Sequence, residues 1–363
     1  MKGNKGELSE LYTFFKLLAD GRLYGADGNL QKYDNIYYPI LKIFRNDAPD
    51  RNEYAVDALH SQILVAGQNV SLTISQQQFR EQSDKLLALI KNLKTSDPSA
   101  FDEIENFMNK IDCGGVKAKS TDKADIRIVI HNLNTGTEPE YGYSIKSKLG
   151  AKSTLINSNV DGSNFIYKII GIEDALAINN IVSQRGTKEM MDLKGRIKYV
   201  TEHGGHLEFV DTAALNLRNN LTMLDTCMPR LVALMLLESY LGESKRIPDI
   251  TKAIIEKNPL NFDLSAGMKM YEYKVKHFLL SFALGMTAST AWNGKYNANG
   301  GFIVVKEDGD IVCYHYFDRN DLENYLFYNT QFETPDPGRH KFGNVFQQNG
   351  EFFIKLNMQV RFI

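Results

Sequence analysis

The sequence predicts an α+β fold: a mixed central β-sheet flanked by helices, with a further helical region and C-terminal β-hairpins. Three observations predict it. Residues 6–20 carry an apolar stripe of helical period. Residues 125–147 alternate apolar and polar side chains on both sides of a turn-rich break. From Gly300 onward, short alternating runs are joined by Asp-Gly and Asn-Gly turns. At 363 residues the chain can form one large or two modest domains. The expected division is a sheet-and-helix core over 1–175 and a helical, then β-rich, region over 176–363, or a single continuous domain.

Taken in order, residues 6–20 form the first helix, closed by Gly21. Leu8, Leu11, Phe14, Phe15 and Leu18 make its apolar face, Glu7 lies within that stripe, and Glu10 lies at its edge. A first-turn carboxylate complements the helix dipole, so Glu7 has an ordinary structural use as well as a ligand use. Residues 22–70 break into short apolar runs, read as strands or short helices. The stretch from Ser71 to Leu93 reads as a helix with a capping box at Ser75 and Gln78. Ala100–Lys110 reads as a second, shorter helix.

The hairpin at 125–147 carries the most chemistry. Ile126, Ile128 and Ile130 point one way, and Asp125, Arg127, Val129 and His131 the other. Asn134, Thr135, Gly136 and Pro139 supply the turn. On the returning strand Tyr143 and Ile145 share one face, and Ser144 and Lys146 the other. A turn centred near Gly136 sets Asp125 almost opposite Lys146 at a strand end. An aspartate suits a hard cation such as Mg²⁺, and a lysine can stabilise charge developing on a phosphate or orient the attacking water. The hairpin resembles the PD-(D/E)xK nuclease motif. Ala124 replaces the proline of that motif, and Ser144 stands where a second carboxylate is usual, so a second acid must come from elsewhere; Glu7 and Glu10 are the candidates. The plain alternative is an amphipathic hairpin with a surface ion pair.

Beyond the hairpin, residues 147–164 are rich in Lys, Ser, Thr and Asn, the donors that meet phosphate and sugar oxygens. A strand is expected at Phe165–Ile169, a helix at Glu173–Ile181, and mostly helix over 186–286 with one break at H-G-G-H-L-E-F-V. Two terminal hairpins turn at Asp308-Gly309 and Asn349-Gly350. The formal net charge of −2 excludes a strongly basic whole-protein signature but leaves room for a local basic cleft. Cys113, Cys227 and Cys313 lack metal-ligand spacing and read as reduced thiols of a cytoplasmic protein. His203, His206, His315 and His340 also lack such spacing and read as structural. The N-terminus is no signal peptide, and the apolar run Leu231–Leu237 is far too short to span a bilayer, so no membrane association is expected.

Several segments together resemble the HpaII-type family of type II restriction endonucleases: G-N-K-G-E-L-S-E-L-Y-T-F-F-K-L-L at the N-terminus, Y-G-Y-S-I-K-S-K-L-G with S-T-L-I-N-S and S-N-F-I-Y, A-W-N-G with A-N-G-G-F-I-V-V, N-T-Q-F-E-T-P, R-H-K-F-G, and the closing I-K-L-N-M-Q-V-R-F. The resemblance spans nearly the whole chain in the same order. It implies a PD-(D/E)xK-like catalytic core over 1–175, a DNA-recognition region over 176–363, a double-stranded DNA substrate, Mg²⁺-dependent phosphodiester hydrolysis, and a partner methyltransferase acting on the same site; a homodimer is one option for the assembly. Named members of the family cut within C-C-G-G. In this reading Asp125 and Glu7 (Glu10 as runner-up) bind Mg²⁺, Lys146 orients or helps to deprotonate water, and Ser144 supports a bound water through its hydroxyl. Lys148, Thr154 and Asn157 are candidates for phosphates, and Arg185, Asn293 and Arg339 for bases. Rival readings are a structure-selective repair nuclease, an inactive DNA-binding module, and a Ser144–Lys146 hydrolase dyad.

Overall fold

The computed structural model describes residues 3–45, 51–93, 98–116, 124–133 and 135–363. Asn134, expected in the hairpin turn, lies outside the described residues. In chain order the elements are α1 (Lys5–Asp20), β1 (Arg22–Ala26), β2 (Lys32–Arg45), β3 (Asn52–Asp57), β4 (Gln62–Ala66), β5 (Ser71–Ser75), α2 (Gln76–Lys91), α3 (Asp102–Lys110), β6 (Ile126–Ile130) and β7 (Glu140–Ser147). Then come β8 (Thr154–Ile156), β9 (Asn164–Ile170), β10 (Val182–Arg185), β11 (Lys188–Met191), α4 (Leu193–Glu202), β12 (His206–Thr212), α5 (Leu215–Leu224), α6 (Met228–Leu241), α7 (Ile247–Lys257) and α8 (Met270–Leu284). The chain closes with β13 (Gly301–Val305), β14 (Ile311–His315), α9 (Arg319–Tyr328), β15 (Thr330–Phe332), α10 (Pro337–His340), β16 (Val345–Gln348), β17 (Glu351–Asn357) and β18 (Val360–Phe362). The α+β expectation holds.

Two compact units emerge. The first comprises residues 1–153, 283–285 and 296–325. Its nine-stranded sheet runs β1-β14-β13-β7-β6-β2-β3-β4-β5. The sheet is mixed: β13 lies parallel to β7 and β1 parallel to β14, while the other neighbours are antiparallel. Helix α1 starts where Asn4 accepts from the Gly6 and Glu7 N–H groups and ends at Gly21, whose φ of 63° suits a residue without Cβ. Its predicted apolar residues are all buried, in one core with Ile126, Ile128, Ile130, Tyr143 and Ile145 of the sheet. Phe15, Phe79 and Phe107 from α1, α2 and α3 meet edge to face at 5.1–6.1 Å, each contact adding about 0.5–1.5 kcal/mol beyond burial.

The second unit comprises residues 154–282, 286–295 and 326–363. It holds a four-stranded sheet, β12-β9-β17-β16, a three-stranded sheet, β15-β18-β8, and the two-stranded β10-β11. Phe165, Tyr167 and Ile169 of β9 alternate into its core, and the Tyr167 hydroxyl donates to the Ala233 carbonyl on α6. The terminal hairpin turns on Asn349 and Gly350, both at positive φ, as a two-residue primed turn requires.

Some elements differ from expectation. Ser71–Ser75 is a strand, because five residues of alternating burial pair with β4 before Ser75 caps α2. The expected helix near 173–181 is a 3-10 turn over Ala175–Asn180. Lys188–Met191 is a strand within the stretch read as mostly helical, the break expected at H-G-G-H-L-E-F-V is the strand His206–Thr212, and α9 interrupts the C-terminal β pattern. Among the described residues no single helix is long and apolar enough to cross a membrane.

Candidate active site

The β6–β7 register fixes the site. Ile126 pairs with Tyr143, Arg127 with Gly142, Ile128 with Tyr141 and Val129 with Glu140. The connecting loop closes where the Asn132 N–H donates to Thr137 O at 2.9 Å and the Gly136 N–H donates to Asn132 O at 2.8 Å. That closure sets the turn earlier than a turn centred at Gly136 would. Asp125 therefore falls opposite Ser144, and the expected Asp125–Lys146 cross-strand pair is corrected to Asp125–Ser144.

The ladder between these strands ends at Ile126 and Tyr143, with one further bond from the Asp125 N–H to Tyr143 O at 2.8 Å. Past that point β7 needs another partner for its next N–H. Asp125 supplies it: Oδ2 accepts from the Ile145 N–H at 2.8 Å and from the Ser144 hydroxyl at 3.0 Å. The other oxygen, Oδ1, receives neither. Ser144 thus orients the carboxylate directly, rather than a water.

Strand alternation puts Ser144 and Lys146 on the face opposite Tyr143 and Ile145. Ser144 is buried, and its neighbour across the parallel ladder is Phe302; that of Lys146 is Val304. The Lys146 ammonium lies 5.4 Å from the centre of the Phe302 ring, within cation–π range. The A-N-G-G segment seats this arrangement. Asn299 Oδ1 accepts from the Gly142 N–H at 2.9 Å, and the Gly300 N–H donates to Gly142 O at 2.7 Å. A Cβ on Gly142 would come within 2.7 Å of Asn297 O and 2.8 Å of the Ala124 Cβ, so only glycine lets the segment approach.

Helix α1 packs on the opposite, Tyr143–Ile145 face. Glu7 is the third residue of its capping box: Oε2 accepts from the Asn4 N–H at 2.9 Å. Glu10 instead lines a cavity of about 420 Å³ together with Lys5, Ile145, Ser147 and Ser153. Sequence reasoning missed Ser9. It is fully buried, its hydroxyl reaches the Lys5 carbonyl at 2.6 Å, and it lies 2.8 Å from the Ser147 hydroxyl. The Ser9 hydroxyl is placed to donate to either oxygen, and the Ser147 hydroxyl also accepts from the Leu149 N–H at 3.1 Å. This relay ties the first turn of α1 to the residue after Lys146. A serine between Leu8 and Leu11 in an apolar stripe was the available signal.

Among the described residues no group of three or more His, Cys, Asp or Glu is disposed to hold a metal. His315 has the structural role expected of it. It is fully buried beside Tyr38, Tyr141 and Phe317, with ring centres 4.3–5.0 Å away, and its Nδ1 accepts from the Phe317 N–H at 3.0 Å. Burial lowers its pKa to about 3.

The expected DNA contacts are dispersed. Lys148 follows β7 in the first unit, where its N–H donates to Val305 O at 2.9 Å. Thr154 lies in the second unit, paired with Arg361, and Asn157 is exposed just after β8. Asn293 is exposed in a turn where it accepts from the Lys295 N–H at 3.0 Å. Arg339 is exposed on α10. Arg185 ends β10, and its side chain lies outside the described part of the molecule.

Comparison with known proteins finds similarity along nearly the whole chain. The sequence model of the HpaII restriction endonuclease family matches residues 4–362. The type II restriction enzyme HpaII of Haemophilus parainfluenzae is 42% identical over 361 residues, which cover 99% of this chain and 98% of that protein. No solved structure matches.

Proposed function

The chain belongs to the HpaII restriction endonuclease family, and on that premise we propose that it is a type II site-specific deoxyribonuclease that cuts double-stranded DNA, at C-C-G-G or a related target, with Mg²⁺ as cofactor. The observation that carries the catalytic assignment is the strand-end constellation in which Ser144 and the Ile145 N–H both donate to Asp125, with Lys146 two residues beyond Ser144 on the same face. We read the nine-stranded sheet with α1 as a PD-(D/E)xK-like core in which that constellation is the centre.

The donor set suits magnesium. Mg²⁺ keeps several waters and is usually held by one or two carboxylates together with substrate phosphates, so a three-acid cluster is not required. Asp125 would contribute Oδ1, since both protein donors fall on Oδ2. Glu10 takes precedence over Glu7 as the second acid. Oε2 of Glu7 is taken by the helix cap, whereas Glu10 borders the cavity lined by Ile145 and Ser147 at the end of β7; α1 lies on the face of the sheet away from Lys146, so Glu10 would join Asp125 around the strand end rather than across the face. When bound, the ion neutralises charge on the scissile phosphate and lowers the pKa of water. Ser144 and Ile145 hold the Asp125 carboxylate in one orientation before substrate arrives. Lys146, with its ammonium against Phe302, stabilises the extra negative charge of the pentavalent transition state and orients the attacking water. Ser9 and Ser147 keep α1, and so Glu10, in register with β7. A methyltransferase that modifies the same target would protect the host, and a homodimer would match a palindromic site.

The test is digestion of a plasmid of known sequence with Mg²⁺ and with EDTA. Discrete fragments that need Mg²⁺ are expected. A smear, or structure-dependent cutting of branched DNA alone, would replace this reading with a repair nuclease.

A further inference from the structure

The hairpin of β10 and β11 stands apart from both larger sheets of the second unit. Among the described residues it pairs with no third strand. Ser183, Gln184, Thr187, Lys188, Glu189 and Met190 are all exposed, and a Cβ on Gly186 at the tip would meet nothing within 4 Å. Two strands alone are marginally stable in water, so something must hold this one. Its base is held by a buried cation: Arg196, 3% exposed, donates from Nε to Ile181 O at 3.2 Å and from Nη1 to Gly343 O at 2.9 Å and Asn344 Oδ1 at 2.8 Å. Nη2 donates to Asn179 O. A buried arginine thus clamps the foot of the ribbon.

The surroundings are cationic. Between Val182 and Lys198 five basic residues face two acidic ones, in a chain whose net charge is −2. Met190 and Met191 at the foot share a cavity of about 380 Å³ with Lys194, Lys245, Pro335 and Pro337. The turn that follows Pro337 carries Arg339, His340 and Lys341. Among the described residues no carboxylate forms an ion pair with Lys188, Lys194, Arg339 or Lys341. Arg185 and Arg339, far apart in sequence, therefore sit on segments that border one cavity of one unit.

We propose that the 182–191 hairpin, with the Arg339–Lys341 turn at its foot, is the element through which the second unit reads duplex DNA. The major groove, about 12 Å wide, admits a two-stranded ribbon. Gln184 and Thr187 near the tip offer paired donor and acceptor groups to base edges, while Lys188, Arg339 and Lys341 meet phosphates. This inference rests on the endonuclease reading above and adds the specificity element to it.

The experiment compares wild type, the double variant Gln184→Ala/Thr187→Ala, and Arg339→Ala with Lys341→Ala. The probes are a plasmid, a duplex copied from one of its cleavage sites, and a random-sequence duplex, with affinities measured over a salt series. The tip variant should lower the ratio of site-duplex to random-duplex affinity about tenfold or more, with random-duplex affinity nearly unchanged. Each phosphate variant should weaken both duplexes alike and reduce the salt slope by about 1. An unchanged affinity ratio in the tip variant, beside a wild type that still cuts the plasmid into discrete fragments, overturns the hairpin assignment alone. A wild type that gives no discrete fragments overturns the endonuclease reading and this inference with it. All four side chains are exposed, so the fold should survive, and circular dichroism checks it.

Discussion

Replacing Ser144 with alanine removes one of the two donors that hold Asp125. The lost bond is 3.0 Å long and ends on a carboxylate oxygen, while the 2.8 Å bond from the Ile145 N–H remains. A hydrogen bond to a charged group contributes about 1.5–3 kcal/mol, which corresponds to roughly 10–100-fold in a rate or a binding constant. That range coincides with the usual cost of removing a group that orients a metal ligand, about 10–100-fold. The carboxylate keeps its charge and one anchor, so the loss should fall mainly on ion affinity. The assay is the cleavage rate of a plasmid by Ser144→Ala across a Mg²⁺ titration, with the fold checked by circular dichroism. The expected result is a weakened enzyme whose rate recovers in part at high Mg²⁺. A rate within about twofold of wild type at every concentration would mean that the 3.0 Å bond positions nothing of consequence. A rate at background throughout would point instead to a serine nucleophile, whose loss no added ion restores.

Lys146→Ala should lose cleavage by far more than tenfold while site-specific binding stays near wild type, because its charge acts on the transition state; gel-shift and cleavage assays on one duplex separate the two, and cleavage within about tenfold, roughly 1.4 kcal/mol, removes its catalytic role. Glu10→Gln should be the inactive member of the α1 pair. Glu7→Gln should remain active, with a loss of stability of at most about 1 kcal/mol, since glutamine also serves in a capping box; the opposite activities would return the acid to Glu7. His315 gives stability a pH dependence. The folded protein keeps it neutral down to about pH 3, whereas an unfolded histidine takes its proton near about 6.5. The unfolded state thus binds more protons across that window, and stability should fall as pH drops through it, by up to about 1.4 kcal/mol per unit. His315→Phe should flatten the urea midpoint between pH 6 and pH 4, and an unaltered slope would assign the acid sensitivity to other groups.

Local signals were legible where short-range physics decides the structure. Gly21 closed α1, Ser75 capped α2, and Asn349-Gly350 gave the last turn, because each acts within a few residues. The partner of Asp125 was not legible, since it depends on which residues close a loop, and a turn displaced by a single residue changes the residue opposite from Lys146 to Ser144. The choice between Glu7 and Glu10 was also hidden. A helical wheel puts Glu7 in the stripe, but Asn4 captures its carboxylate before any ligand could. Ser71–Ser75 misled because its alternation runs without a break into a strong helix pattern. The seating of Gly142 by Asn299 lay beyond sequence reading, because it joins residues whose only connection is the finished sheet.

That last feature bears on synthesis. Strand β7, which carries Ser144 and Lys146, has β6 on one side from the start, but its other neighbour, β13, is translated only after the whole of α4–α8. Until then one edge of β7 is an open row of backbone donors and acceptors, the kind of edge that recruits other chains, and pairing across so long a stretch is slow. A nascent chain, or one terminated before residue 300, lacks the Asn299 clamp and the Phe302 wall behind Lys146. The order of translation thus acts as a delay: the strand-end arrangement of Asp125, Ser144 and Lys146 against β13 cannot be completed until most of the polypeptide has left the ribosome.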